Sequence, residues 1–308
     1  MAGSGVGRMI AGMNRSAAFA AALAVLSAAS VFAQPVPESV YPPPEPLVVD
    51  DPRTAQTGVH FEFEARYMTD YVWRGIERFD ASHGEDSPNV QIEPRITLDL
   101  GKLPHPYVSV FFNASDDDEV SNLQEIRPEV GFDWDIRPVT VSAGYTSYIF
   151  PDRDGIDTAE VFLGFAFDDS LFFRSERPVF NPYVHGAFDF DEFDGLYVEV
   201  GIQHEWPIEA TGLTLLFNAH VAYVNDFALF SVDPAAVGGS DDEGIADSGF
   251  QHYQVGFTAR YRLNELLNIP DRFGQLSVSG YLNYTDSIDK ELEATTQLWG
   301  GAGVSLKF

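Results

Sequence analysis

The sequence predicts an all-β fold, a transmembrane antiparallel up-and-down β-barrel of about twelve strands. Three observations predict it: the chain opens with an export signal, no later apolar run reaches the length of a membrane helix, and about twelve segments alternate apolar with polar residues. A strand with one apolar and one polar face suits a wall between lipid and water. A closed barrel also leaves no unpaired strand edge in the membrane.

Residues 1–33 have the parts of a secretory signal peptide. Arg8 and Arg15 precede the apolar run "SAAFAAALAVLSAASVFA", which ends in the small-x-small motif Val31-Phe32-Ala33. A positive segment, a short apolar core and small residues at the cleavage site define such a signal. We therefore expect residues 1–33 to be removed on export. An uncleaved membrane anchor is the weaker alternative, because the run is rich in alanine and only marginally long.

Residues 34–56 are rich in proline and show no periodicity. This composition predicts an extended periplasmic linker without a core of its own, with a proline-rich protein ligand as the alternative. The outer-membrane β-barrel is predicted to occupy residues 57–308.

Period-two alternation begins near His60 and is clearest in "LTLLFNAHVAYVN". Leu213, Leu215 and Phe217 share one face there, and Thr214 and Asn218 share the other. Each such segment has about ten residues or more, which suits a tilted transmembrane strand and exceeds the usual strand of a soluble sandwich. The predicted strands are 58–76, 89–100, 106–114, 123–136, 139–149, 157–168, 180–190, 195–206, 213–225, 249–262, 274–285 and 293–308.

The connections between these strands alternate in character. Those after even-numbered strands are mostly short, such as "GKLPH" and "RP", whereas those after odd-numbered strands hold acidic insertions such as "SDDDEVSN". Tight turns at one rim and long loops at the other are typical of outer-membrane barrels. An even strand count then places both chain ends at the periplasmic rim.

Charged residues of both signs fall on the face opposite the apolar one. Because a charge facing lipid at mid-depth costs a few kcal/mol, this polar face is predicted to line the lumen. The candidate pore-lining residues are Arg66, Asp70, Arg74, Glu93, Arg95, Asp99, Arg127, Glu129, Arg260 and Arg262, and the same face includes Glu62, Glu64, Asp133, Glu160, Asp189, Glu199, Glu205 and Lys307. The candidate aromatic girdle on the outer face is Tyr71, Trp73, Trp134, Trp206, Tyr261 and Phe308.

The charges of the first two strands also predict their register. Pairing Arg66 with Asp99 places Asp70 opposite Arg95 and Arg74 opposite Gln91. A shift in one direction sets like charges opposite each other, which destabilises a strand pair. A shift in the other direction, with Arg74 opposite Glu93, is the alternative register.

Composition excludes several classes of function. The chain of 308 residues has 47 acidic and 18 basic side chains, a net charge of −29, which argues against nucleic acid as a partner. No cofactor is predicted. The carboxylates of "DRDGIDTAE" do not match a calcium loop, so no tight metal site is expected. Loose Ca²⁺ or Mg²⁺ binding by the acidic loops, bridging lipopolysaccharide phosphates, is an alternative.

Enzyme barrels are not favoured by the residues. A phospholipase-like site needs a serine beside a histidine on the outer wall, and His204 has no such serine placed beside it. A protease-like site could draw on "DFDEFD" and His83, but acidic loops are usually solvated surface. The prediction is therefore a protein that is not an enzyme.

The stretch "YMTDYVWRGIERFDASHGEDSPNVQIEPRITLDLG", residues 67–101, resembles the start of the TorF-type family of bacterial outer-membrane porins. The resemblance is carried by the Tyr-Val-x-Arg-Gly run and by "SPNVQ". It implies a barrel of this size and a porin role. The last strand, which ends in Phe308, resembles the signal read by the outer-membrane assembly machinery.

The predicted function is passive diffusion of small hydrophilic solutes or ions through a narrow charged lumen. The partners expected are outer-membrane lipid and lipopolysaccharide, the assembly machinery and the solutes. Acidic loops should give a modest preference for cations at low salt, opposed by the inner arginines. The alternative is a closed structural, adhesion or assembly-partner barrel that acts through its acidic extracellular loops.

Overall fold

Twelve long strands form one closed antiparallel barrel. A computed structural model of the chain describes residues 58–78, 88–115, 123–151, 157–192, 194–208, 211–225, 248–289, 292 and 296–308. Each long strand pairs with its neighbours along the chain, and the last pairs with the first. The predicted all-β barrel of twelve strands is thereby confirmed. The predicted signal peptide and linker lie outside the described residues.

The barrel strands are long and the remaining elements are short. A two-stranded hairpin, β2 (Val72–Trp73) and β3 (Ile76–Glu77), follows the first strand, and single helical turns span Ser170–Phe173, Asn264–Leu267 and Asp271–Phe273. Within the described ranges, no helix is long and apolar enough to cross a membrane. The barrel strands are β1 Gly58–Met68, β4 Asn89–Asp99, β5 His105–Ser115, β6 Leu123–Ile136, β7 Val139–Tyr148, β8 Thr158–Phe167, β9 Tyr183–Asp189, β10 Leu196–Ile208, β11 Leu213–Asn225, β12 Gly249–Arg262, β13 Gln275–Ser287 and β14 Gln297–Lys307.

The two faces of the wall differ in polarity as alternation predicts. Outward side chains are apolar and exposed, such as Val59, Val200 and Leu298, whereas the inward side chains Glu199 and Gln254 are fully buried. A soluble barrel has the opposite arrangement, with its apolar side chains inside. The exterior is therefore suited to lipid and the interior to polar groups.

The barrel has a turn rim and a loop rim. The turn rim carries the connections β4–β5, β6–β7, β8–β9, β10–β11 and β12–β13, together with the start of β1 and the end of β14. Phe61 and Phe308 exchange two backbone hydrogen bonds of 2.8 Å there. The loop rim carries the remaining connections, of which 79–87, 116–122, 152–156, 193, 226–247, 290–291 and 293–295 lie outside the described residues.

The first strand is shorter than predicted, and its predicted register is wrong. β1 ends at Met68, where the chain leaves the wall, and Gly58 pairs with Asp99. Arg66 consequently lies opposite Gln91 rather than Asp99, and the alternative register is also wrong. The prediction treated Asp70 and Arg74 as wall residues, and it therefore placed β1 too close to the turn rim relative to β4.

A bridging arginine explains why the observed register tolerates like charges. Glu64 lies directly opposite Glu93, the type of pair that was expected to be avoided. Arg66 resolves the repulsion, because its guanidinium lies 3.0 Å from Glu64 and 3.7 Å from Glu93. The attraction of both carboxylates to Arg66 thus outweighs the repulsion between Glu64 and Glu93.

Replacing Gly201 by alanine is expected to lower barrel stability. A Cβ on Gly201 would lie 2.6 Å from the Tyr183 ring and 2.7 Å from the Ala219 carbonyl oxygen. Such overpacking costs about 1–3 kcal/mol. Urea unfolding in lipid vesicles measures the loss. Gly186→Ala is the matched control and should unfold like the parent, because its Cβ would lie 3.8 Å from Val198 and 3.9 Å from the Tyr197 carbonyl oxygen, at ordinary contact distance.

Candidate functional site

The segment after β1 forms a tight hairpin, Tyr71–Arg78, here called the lumen hairpin. Trp73 pairs with Ile76 across it, and the Arg78 amide donates to the Tyr71 carbonyl at 2.7 Å. The two residues at its tip, Arg74 and Gly75, both have positive φ, at 49° and 76°. Two successive positive φ values are the mark of a two-residue type I′ turn, whose twist suits a hairpin.

The lumen hairpin lies inside the barrel and crosses its bore. Val72 belongs to a buried cluster with Trp299 of β14, whereas Arg74 binds Glu160 of β8. In the closed strand order, β8 and β14 are opposite members of the ring of twelve. A segment that contacts inward side chains of opposite strands must occupy the lumen between them.

Arg74 makes an ion pair, two hydrogen bonds and two cation–π contacts inside the lumen. Its Nη2 and Nη1 donate to the two carboxylate oxygens of Glu160 at 2.8 and 3.0 Å. The Tyr148 hydroxyl donates to the same carboxylate at 2.7 Å. The rings of Trp73 and Tyr197 lie over the guanidinium at 4.2 and 4.4 Å. A bidentate pair with cation–π contacts on a buried guanidinium fixes both position and orientation.

Further contacts hold the hairpin on other sides. The Tyr71 hydroxyl donates to Glu125 of β6 at 2.9 Å, and its ring lies 6.2 Å from Phe111. Gly75 lies so close to His252 of β12 that a Cβ would be 2.5 Å from the imidazole. The hairpin tip therefore requires glycine for its backbone conformation and for the close approach.

Tyr71 and Trp73 were predicted to face lipid, and that prediction is wrong. Their side chains are 1% and 3% exposed inside the lumen. The parity of an unbroken strand had been carried past Met68, where the strand ends. Asp70 and Arg74 lie inside the barrel as expected, but on the segment that fills the lumen and not on its wall. The Arg-Gly pair between short apolar runs was the sequence signal for a tight turn.

The other candidate girdle residues lie on the outer face. Trp206 and Phe308 are each 63% exposed, Trp134 is 38% exposed, and Tyr261 is half-buried. The Trp134 indole nitrogen donates to the Lys102 carbonyl at 3.2 Å.

A charged belt lines the lumen between the hairpin and the turn rim. Arg66 bridges Glu64 and Glu93, and Arg260 lies 3.3 Å from Glu205. These side chains come from β1, β4, β10 and β12, so the belt is built from separate parts of the wall.

A second group of charges continues this belt along β4, β5 and β6. Arg95 binds Asp133 at 2.6 Å, and its guanidinium lies 3.6 Å from the Tyr107 ring centroid. The Tyr107 hydroxyl donates to Glu129 at 2.7 Å. The predicted residues Arg95 and Glu129 therefore meet through Tyr107, which the sequence did not single out.

Three candidate pore residues lie apart from these pairs. Asp99 accepts a hydrogen bond from the Gly101 amide at 2.7 Å and so shapes a turn. Arg127 lies 3.7 Å from Glu125, near the hairpin. Arg262 reaches Glu265 at 3.4 Å on the exposed turn rim. Asp99 therefore stabilises a turn, Arg127 lies in the surroundings of the hairpin, and Arg262 lies on the rim.

Water reaches the lumen from the turn rim but not at the level of the hairpin. The side chain of Glu205 in the belt is 46% exposed, and that of Glu62, which lies 3.5 Å from Lys307, is 44% exposed. At hairpin level, by contrast, Glu160 and Glu199 are 0% exposed. The structure is therefore a barrel with a wet charged vestibule and an occluded section above it.

The wall of the occluded section is nevertheless polar. One row of paired inward positions runs Gln203, Asn218, Gly256, Asn283 and Trp299. Each of the four side chains in this row has a buried polar atom without a hydrogen-bond partner among the residues the structure describes. These groups are suited to bind water or a polar solute.

The described residues contain no group of three or more His, Cys, Asp or Glu side chains arranged to hold a metal ion. The two carboxylates of "DRDGIDTAE" that can be placed serve other contacts. Asp157 accepts the Phe150 amide, and Glu160 binds Arg74. Asp152 and Asp154 lie outside the described residues.

The residues considered for enzyme sites also have structural contacts. The His204 ring contacts the Val179 carbonyl. Asp189 of "DFDEFD" is buried and accepts the Thr158 hydroxyl at 2.6 Å. His83 lies outside the described residues.

No protein-family model and no curated protein matches this sequence. Among solved structures, the chain is similar to the NanC porin (9% identity over 80% of this chain and 100% of that one, TM-score 0.45). It is also similar to the COG4313 outer membrane channel from Pseudomonas putida F1 (9%, 90% and 100%, 0.46) and to outer membrane phospholipase A from Escherichia coli (11%, 80% and 92%, 0.36). At such values these likenesses carry no argument about function.

Arg74→Ala is expected to release the lumen hairpin. Removing one partner of a buried ion pair costs about 3–5 kcal/mol, so the undocked population should rise on the order of 100-fold or more. Chymotrypsin cleavage after Trp73, which is buried in the parent, reports undocking. Arg262→Ala removes an exposed arginine and is the control. Equal protection of Trp73 in all three proteins would show that Arg74 does not hold the hairpin.

Proposed function

We propose that the protein is an outer-membrane channel for small hydrophilic solutes, with the lumen hairpin as the barrier that closes it. The observation that carries this proposal is the polar wall behind the hairpin, where Gln203, Asn218 and Asn283 present hydrogen-bonding atoms to the lumen. A permanently dry plug would favour an apolar wall, because buried polar groups without partners cost about 1–3 kcal/mol each. A wall of this kind suits a lumen that water enters.

The apolar exterior and closed strand order support a location in the bacterial outer membrane. The predicted signal peptide over residues 1–33 adds to it, since a barrel must first be exported. Recognition of Phe308 by the assembly machinery, and contact of the acidic loops with lipopolysaccharide, are part of the same proposal.

Movement of the hairpin would join the vestibule to the loop rim. Eight strands fill a barrel with side chains and sixteen leave a wide channel, so twelve strands without an occluding segment leave a narrow passage. The belt formed by Arg66, Glu93, Arg260 and Glu205 would then line the path of the solute. Selectivity would reflect the balance of both signs of charge in that belt.

A closed barrel with a structural or adhesive role is the second candidate. The complete burial of Arg74 and Glu160 favours it, because such a pair can hold the hairpin permanently in place. Conductance separates the two candidates, since a permanently closed barrel passes no current.

Gly75→Ala is expected to raise conductance in planar lipid bilayers. A Cβ at this position would overlap His252 and would also strain a backbone with φ of 76°. The docked hairpin therefore loses stability and the open fraction rises. Gly101→Ala is the matched control, because Gly101 has φ of 73° but no neighbour within 4 Å of the added Cβ.

The outcomes of this recording decide between the candidates. Brief openings in the parent protein, longer or more frequent openings in Gly75→Ala and parent-like behaviour in Gly101→Ala are the expected results. An absence of current from both the parent and Gly75→Ala, in bilayers shown to contain folded protein, would overturn the channel and favour the closed barrel.

The open channel is expected to prefer cations modestly at low salt. The net charge of −29 attracts cations, and the inner arginines oppose it. The reversal potential across a KCl gradient measures this preference, which should shrink as salt rises and the Debye length falls from about 30 Å at 0.01 M to about 3 Å at 1 M. Clear anion selectivity at low salt would contradict the expectation.

A further inference from the structure

We propose that the inner wall around Glu160 is a binding site for organic cations that carry a guanidinium group, and that Arg74 occupies this site as a built-in ligand. As a site for solutes it rests on the proposed function, because a solute reaches it only when the hairpin moves. The Arg74 side chain then shows how the guanidinium group of a solute would be bound.

The carboxylate of Glu160 has the geometry that selects a guanidinium. Its two oxygens accept one N–H hydrogen bond each, at 2.8 and 3.0 Å, from the two terminal nitrogens of Arg74. This fork is matched by a planar guanidinium and not by a spherical ion. The Tyr148 hydroxyl, 2.7 Å from the same carboxylate, holds its orientation.

Most of the site belongs to the barrel wall and not to the hairpin. Glu160 lies on β8, Tyr148 on β7 and Tyr197 on β10, whereas only the Trp73 ring comes from the hairpin. The Tyr197 ring lies 4.4 Å from the guanidinium carbon. When the hairpin leaves, a carboxylate, a hydroxyl and an aromatic face therefore stay together in the wall.

The charge of the wall favours a cation over a neutral or anionic solute. Glu199, fully buried beside Tyr197, accepts the Tyr197 hydroxyl at 2.9 Å, and its other oxygen has no hydrogen-bond partner among the described residues. The nearest ring nitrogen of His220 lies 3.9 Å from Glu199. Arg127, whose guanidinium carbon lies 5.6 Å from the Tyr148 ring centroid, is also 3.7 Å from Glu125. Without Arg74, Glu160 is thus a buried carboxylate in need of a cation.

The backbone conformation at residue 74 does not favour arginine. The contacts of the arginine side chain therefore explain why this residue stands at the tip of the hairpin. A type I′ turn favours Asn or Gly at its first central position. A residue with a Cβ in the left-handed region is strained, and such strain persists only where the surroundings hold it. Here the contacts of the guanidinium hold it. An arginine at the tip of a lumen-filling hairpin therefore acts as the ligand of the wall.

A free guanidinium compound and Arg74 would compete for one site. Binding of the compound to the undocked state shifts the equilibrium toward that state. The solute would thereby favour opening of its own path, and neutral solutes of the same shape would not.

The test uses methylguanidinium as the probe, with methylurea as a neutral planar control and tetramethylammonium as a cationic control at equal ionic strength. For Arg74→Ala in detergent, methylguanidinium at millimolar concentration should raise the melting temperature saturably by several degrees, because it binds the folded barrel. The two controls should not. The shift should vanish in the double variant Arg74→Ala, Glu160→Gln, whereas Arg262→Ala, which keeps Arg74, should show no such stabilisation.

The parent protein gives a second readout that needs no variant. Methylguanidinium should increase chymotrypsin cleavage after Trp73 several-fold, since it displaces Arg74, and methylurea should leave cleavage unchanged. Equal effects of methylguanidinium and methylurea, or a shift that survives Glu160→Gln, would overturn the site. Both readouts are independent of conductance. Saturable binding without current would contradict the proposed channel but not the cation site. Current without binding would contradict the cation site but not the channel.

Discussion

The buried ion pair between Arg74 and Glu160 is the interaction on which the closed lumen depends. It ties the tip of the hairpin to the wall opposite β14, so the segment is held across the full bore rather than against one side. The Trp73 ring lies over the Arg74 guanidinium, whereas Tyr71 is held by its own hydrogen bond to Glu125. The barrel itself does not need the pair, because its strands close through backbone hydrogen bonds alone. Stability of the wall and closure of the lumen are thus carried by different interactions.

The strands could be predicted from the sequence because a wall between lipid and a polar interior requires apolar and polar residues to alternate. Lipid on one side and polar groups on the other force a period of two, as in Leu213–Asn225, where prediction and structure agree at both ends. Register carries no such signature. The prediction paired opposite charges directly across the strands, whereas in the structure Glu64 faces Glu93 and Arg66 bridges the two carboxylates. Diagonal contacts of long side chains depend on strand tilt, which a sequence does not show.

Single residues of the candidate site could be predicted from the sequence, but the contacts between them could not. Arg74 and Glu160 were both expected on the polar face, but they are separated by 86 residues and meet only because the chain folds back inside a closed ring. Tyr71 and Trp73 were assigned by parity to lipid. Parity gives the face of a residue only while the strand continues. Beyond Met68 the rings of Tyr71 and Trp73 pack against Phe111 and Tyr148 inside the lumen instead.

A buried ion pair is a poor source of stability, since an apolar pair of similar volume often does as well or better. Its retention at the centre of a lumen is better explained by specificity. An apolar tip would bind a polar wall weakly and without orientation, whereas a guanidinium aligned on a carboxylate binds in one arrangement. The same pair is also separable, because Glu160, Tyr148 and Tyr197 belong to wall strands and stay in place when the hairpin leaves. In the proposal, the guanidinium group of a solute then takes the place of Arg74. A contact that is specific when made and replaceable when broken is what closure of a channel requires.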